Sequence, residues 1–177
     1  QNLGHLPDGT TRLHRDGGRV DTIDVGGRPG ALAFGGGSVW AADEESGRVA
    51  QIDPAANRVV QQVRLGNGLR AIAVGGDALW AAAGLDGEIV RFDIRSGRVT
   101  HRIAVGGRPT ALAVSRDAIW AASEANGQVL RIDPATGVVL AAIAVGNGPS
   151  ALAVGAGGVW TANRQDGTVS RIDPETG

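Results

Sequence analysis

Residues 151–163 read Ala-Leu-Ala-Val-Gly-Ala-Gly-Gly-Val-Trp-Thr-Ala-Asn, and the chain contains this stretch four times with small changes. The four tryptophans lie 40 residues apart, and each follows an Ala-Leu/Ile-Ala-Val/Phe tetrad: Trp40, Trp80, Trp120 and Trp160. Self-similarity at a fixed period is typical of repeat architectures, in which each unit buries its apolar faces against its neighbours. The repeat therefore defines the units of the chain.

We predict a single domain over residues 1–177. Three complete units occupy residues 25–64, 65–104 and 105–144, an incomplete unit occupies 145–177, and residues 1–24 resemble the second half of a degraded unit. Arg12-Leu13-His14 lies where the third unit has Arg131-Ile132-Asp133.

The sequence pattern of each unit predicts four short strands. In the third unit they fall at residues 110–114, 118–123, 128–133 and 138–145. The apolar runs are too short for helices, and Gly or Pro interrupts the chain about every ten residues. The first two strands are continuously apolar, which indicates burial on both faces. Four-stranded units of this length, buried on both faces, predict an all-β fold, the blades of a β-propeller.

The units Gly-Pro-Ser-Ala-Leu-Ala-Val at 148–154, Val-Trp-Thr-Ala-Asn at 159–163 and Asp-Gly-Thr-Val-Ser-Arg-Ile-Asp-Pro-Glu-Thr-Gly at 166–177 resemble repeats of the YVTN-type bacterial β-propellers. NHL and virginiamycin B lyase-like propellers are related groups. The resemblance covers residues 25–177 well and 8–24 loosely, and it implies the propeller fold. Such blades occur in sensors, surface proteins and a few enzymes, so the fold alone does not specify a function.

The two ends of the repeat leave two arrangements open. In one, Val20–Val25 completes the unit begun at Val145, which closes a ring of four blades and removes exposed strand edges. In the other, the units are consecutive blades of a larger ring. A homo-oligomer that completes the ring belongs to this second arrangement.

Composition excludes several classes of partner. The formal charge of -1 provides no basic field for nucleic acid, and no apolar run is long enough to span a membrane. The absence of Cys rules out disulfides and Cys-ligated zinc. We expect no cofactor and no metal site. The resemblance favours an extracytoplasmic location, in the periplasm, outside the cell or as the outer part of a larger protein.

Two ladders of repeated residues are interpreted as structural. Each Trp follows Val, Leu or Ile and precedes Ala or Thr, which favours packing between blades over ligand stacking. Asp-Pro-x-Thr-Gly is strong turn chemistry, because Asp bonds to its own backbone and Pro and Gly set the turn. The turn ladder comprises Asp53, Asp93, Asp133 and Asp173, and we expect Arg91, Arg131 and Arg171 to be cross-strand partners of the last three.

Candidate ligand-binding residues lie where the repeat varies, because a scaffold constrains its core and leaves its loops free to specialise. The loops between units supply Arg28, Arg70 and Arg108. The loops between the second and third strands supply Asp43, Glu44, Glu45, Asp86, Glu124, Asn126, Asn163, Arg164 and Asp166. The same loops are equally compatible with solvated turns.

We predict no catalysis. A lyase-like enzyme would need a His/Glu pair with a divalent ion at the ring mouth, and no His occupies a matching position. The favoured hypothesis is a non-catalytic scaffold that binds a protein, peptide or glycan through these loops. The alternatives are a virginiamycin B lyase-like enzyme and a structural array that assembles with itself into a full ring.

Overall fold

The computed structural model describes residues 12–15 and 18–176, with side chains from Val20 to Thr176. Within these residues there are seventeen β-strands and no helix, so none that could cross a membrane. The strands form five antiparallel sheets. This arrangement agrees with the predicted all-β class.

Consecutive hairpins build each complete blade, because tight turns, most of which contain Gly, return the chain beside itself. Blade 1 consists of β3 (Pro29–Gly35), β4 (Ser38–Asp43), β5 (Arg48–Asp53) and β6 (Arg58–Arg64). Blade 2 consists of β7 (Leu69–Gly75), β8 (Ala78–Ala83), β9 (Glu88–Asp93) and β10 (Arg98–Ala104). Blade 3 consists of β11 (Pro109–Val114), β12 (Ile119–Ser123), β13 (Gln128–Ile132) and β14 (Val139–Ala144).

The strands of blade 3 agree with the sequence-based bounds to within one residue at each end. Blade 4 contains three described strands, β15 (Pro149–Gly155), β16 (Gly158–Asn163) and β17 (Thr168–Ile172). A separate hairpin precedes blade 1 and consists of β1 (Arg12–Arg15) and β2 (Gly18–Asp21). The part of the loose resemblance at residues 8–11 lies outside the described residues.

The blades pack face to face through three separate apolar clusters, one at each junction between neighbours. Trp40 of blade 1 packs against Phe92 of blade 2, with ring centroids 6.0 Å apart and an edge-to-face angle of 69°. Trp80 and Trp120 enter the next two clusters, and all three of these indoles are buried. Because a strand directs alternate side chains to opposite faces, each middle blade supplies residues to two clusters.

The blades form an open arc. The first strands are adjacent in order, since β3 packs against β7, β7 against β11, and β11 against β15. No comparable packing joins β15 to β3 within the described residues. The strand predicted at 20–25 to complete the unit begun at Val145 ends at Asp21 and pairs with β1 instead of β17. The described chain is therefore not a closed ring of four blades.

Candidate functional site

The varied loops all lie at one end of the sheets, here called the loop face. The antiparallel register places the start of each first strand beside the end of the second, as in the pairs Pro29–Asp43 and Pro109–Ser123. The loop between strands two and three and the linker that enters the blade therefore meet. In blade 3 the amide of Glu124 donates to the carbonyl of Arg108 at 3.0 Å.

The loop face of blades 1 and 2 contains a cleft of about 590 Å³. Its wall includes Leu85, whose side chain is 71% exposed, beside Pro29 and Gly68. Two ion pairs lie beside the cleft: Glu44 is 3.1 Å from the Nε of Arg70, and Glu45 is 3.5 Å from Arg28. The cleft therefore combines apolar side chains with charged side chains that are largely exposed to solvent.

A second cleft of about 380 Å³ lies on the loop face of blades 3 and 4. It is lined by polar side chains, among them Arg108, Glu124, Asn126 and Gln165. Arg108 is exposed and forms no ion pair with any described residue. The two halves of the loop face therefore differ, because the first cleft has an exposed leucine in its wall and the second is lined mainly by polar side chains.

Two of the predicted ligand-binding carboxylates hold the loops together. Asp86 accepts hydrogen bonds from the backbone amide and the side chain of Asn67 at 2.7 and 2.8 Å. Asp166 accepts the same two bonds from Asn147. The side-chain bond from Asn67 and the guanidinium groups of Arg102 and Arg64 lower the pKa of Asp86, and the bonds from Asn147 lower the pKa of Asp166.

Asp43 has a similar role within its own loop. Its carboxylate accepts from the hydroxyl of Ser46 at 2.8 Å and from the amide of Glu45 at 2.9 Å, and these bonds lower its pKa. Asn163 is buried, and its amide nitrogen donates to Thr168 and Ser170. Of the predicted set, Asp43 and Asn163 are therefore buried, Glu124 is half-buried, and the other members are exposed.

The Asn residues of the linkers were not among the predicted site residues, although the repeat contains a signal for them. The linkers carry Gly27, Asn67, Gly107 and Asn147 at equivalent positions, and the loops carry Ser46, Asp86, Asn126 and Asp166. Asp is present in the loop wherever Asn is present in the linker. This contact is found when the linker position and the loop position are compared together across the four units. It is not found when each position is compared separately.

The Trp and Asp ladders occupy the blades and the opposite turns. Asp53, Asp93, Asp133 and Asp173 each accept backbone hydrogen bonds within their own turns. The expected cross-strand pairing of Arg with Asp is wrong: Arg91, Arg131 and Arg171 lie across from Trp in the register, and each guanidinium carbon is 5.8–5.9 Å from an indole centroid. Arg91 also approaches Asp93 at 4.0 Å, so it contacts both ladders.

Among the described residues, no group of three His, Cys, Asp or Glu side chains is arranged to hold a metal ion. No protein-family model and no curated protein matches the chain. Solved structures, in contrast, resemble it closely in fold.

The computationally designed Ika4 protein matches 85% of this chain and 96% of its own, with a TM-score of 0.73 and 19% identity. Hydrazine synthase from Kuenenia stuttgartiensis matches 93% of this chain with a TM-score of 0.79 and 18% identity, and this chain spans half the length of that one. Virginiamycin B lyase from Staphylococcus aureus matches 97% of this chain and 68% of its own, with a TM-score of 0.69 and 15% identity. At such identities the likeness defines the fold class only: this chain has a β-propeller fold.

Proposed function

We propose that this chain is a non-catalytic binding scaffold whose loop face takes a peptide segment of a partner protein. One observation supports this most directly: an exposed leucine lies in a cleft of about 590 Å³ with ion pairs at its edge. Clefts of this size, mostly apolar with a few polar groups, are typical of ligand sites. An extracytoplasmic location remains a prediction from the resemblance.

The cleft favours a peptide over a glycan. Leu85 and Pro29 offer apolar surface, whereas Arg28, Glu44, Glu45 and Arg70 offer charges of both signs. Protein interfaces commonly combine apolar contacts with polar and charged groups. Among the described residues, no aromatic ring lines this cleft, so none offers stacking on a sugar there.

The test is a selection of displayed peptides on the immobilised chain, followed by affinity measurements on variants. We expect Leu85→Ser to weaken the selected peptides by at least about tenfold, because it removes a central apolar contact. Val138→Ser is the matched control, since Val138 is 55% exposed at the opposite end of the sheets. Equal affinity of Leu85→Ser and the parent chain for every selected peptide would contradict the proposal.

A further inference from the structure

At each end of the arc, the terminal blade exposes an apolar face. The equivalent faces of the inner blades are buried against their neighbours. At the front of blade 1, Leu32 and Phe34 are 69% and 71% exposed. Ile72, the equivalent of Leu32 in blade 2, is 7% exposed, because blade 1 covers it. We call the side of blade 1 that carries Leu32 and Phe34 the leading face.

The outer side of blade 4 shows the complementary pattern. Val169 is 66% exposed, whereas its equivalents Val49, Ile89 and Val129 are fully buried beneath the next blade. Trp160 is half-buried, in contrast to the three other indoles. We call the side of blade 4 that carries Trp160 and Val169 the trailing face.

A contact between a knob and a socket at two inner junctions provides the template for joining the two faces. At two of the three inner junctions, the fourth apolar residue of a tetrad lies over the glycine that follows the tetrad of the preceding blade. A Cβ on Gly35 would overlap the side chain of Val74, and one on Gly75 would overlap Val114. Gly155 is the corresponding socket of the trailing face, and no described residue lies within 4 Å of a Cβ built there. Phe34 is the corresponding knob of the leading face.

The strand that would complete blade 4 is also present on the chain. At inner positions the linker amide after a fourth strand donates to the loop of the same blade, as from Leu65 to Gly47 at 2.9 Å and from Val145 to Gly127 at 2.9 Å. Val25 and Gly167 are the equivalent pair, but they are separated in the described chain, where no such bond forms. Hydrogen bonds from Asn57 to Asp21 and from Gln62 to the carbonyl of Val25 hold β2 and its linker against blade 1.

We propose that two copies of this chain join head to tail into one ring. The leading face of each copy packs on the trailing face of the other, with Phe34 over Gly155, and β2 of one copy becomes the fourth strand beside β17 of the other. In this exchange β17 replaces β1 as the neighbour of β2. Each junction then repeats the packing between the inner blades, which closes two arcs without an exposed blade face.

The first measurement is the mass of the 177-residue chain by light scattering across a dilution series. Two copies of the 17.9 kDa chain are expected. A monomer at every concentration, or a mass above two copies, overturns the proposal.

Two substitutions test the contact from its two sides. Phe34→Asp places a charge in the knob, and Gly155→Val fills the socket without meeting a described neighbour in its own chain. Each is expected to weaken dimerisation by at least about 30-fold. Leu85→Ser is the control, because Leu85 is as exposed as Phe34 but lies on the loop face. If Leu85→Ser dissociates the dimer and Phe34→Asp does not, the proposal is wrong.

Mixing the variants tests the head-to-tail geometry. The Phe34→Asp copy retains its trailing face, and the Gly155→Val copy retains its leading face, so the two share one intact junction. At a concentration where each variant alone is monomeric, we expect an equimolar mixture to form a 1:1 dimer. Circular dichroism of each variant confirms that it is folded. Failure of two folded variants to associate when mixed overturns the head-to-tail arrangement.

Discussion

Blades 2 and 4 have nearly the same apolar sequence, Ala-Ile-Ala-Val in one and Ala-Leu-Ala-Val in the other, but they differ in what covers them. Blade 2 lies between two neighbours and buries both faces of its second strand, β8. Blade 4 has a described neighbour on one side, and its outer Trp160 and Val169 remain partly or largely exposed. The contribution of a side chain in this fold is therefore set by the adjacent blade more than by the residue itself.

The largest expected difference is in the free energy of unfolding after substitution of equivalent tryptophans. Trp120→Ala should lower the free energy of unfolding by about 3–5 kcal/mol, because it empties a buried site between blades 3 and 4. Trp160→Ala should cost roughly half as much, since its indole is already partly in water. Urea denaturation at a concentration where the chain is monomeric measures both. Equal losses in the free energy of unfolding for the two monomeric variants would contradict the prediction from burial.

A smaller effect is expected from the loop carboxylates, and it depends on pH. The folded pKa of Asp86 is lowered below its ordinary value of 3.8, so the stability that it contributes is present above about pH 4 and is lost as pH falls through the folded pKa. Asp86→Asn should therefore lower the Tm at pH 7 and have less effect at pH 3.

Asp166→Asn is the matched variant in blade 4, since Asp166 holds Asn147 as Asp86 holds Asn67. Its effect should be smaller, because the guanidinium groups of Arg102 and Arg64 also lower the pKa of Asp86 and are not causes of the shift at Asp166. Thermal melts at pH 7 and pH 3 of the parent chain, the two single variants and the double variant measure these effects. A larger decrease in Tm for Asp166→Asn than for Asp86→Asn at pH 7 would contradict this prediction.

The smallest effects are expected on the loop face of blades 3 and 4. Arg108→Ala and Glu124→Ala should each change the free energy of unfolding by no more than about 0.5 kcal/mol, because neither side chain belongs to an apolar cluster. Denaturant midpoints measure this directly. Unfolding of the Arg108→Ala variant would show that this loop supports the blades instead of facing solvent.

The repeat was sufficient to predict the fold because packing between blades requires the same residue types at the same spacing. Trp and the Ala-rich strands could be interpreted without a structure for that reason. The loops obey no such periodic requirement, and hydrogen bonds such as Asn67 to Asp86 join residues 19 positions apart in sequence. Sequence patterns placed Asp86 and Asp166 among the varied loop residues, but only the fold showed that their carboxylates are already bonded to the linkers.

The sequence by itself determined the period of 40 residues, the four-stranded unit and the apolar character of both blade faces, because these follow from local turns and alternation along strands. Only the tertiary structure decided that the arc is open, that Phe34 and Gly155 are left uncovered, and that Leu85 lies in a cleft between charged side chains. The curvature of the arc is the sum of small rotations between neighbouring blades. These rotations depend on the packing of whole faces, which a repeating pattern of residues does not specify.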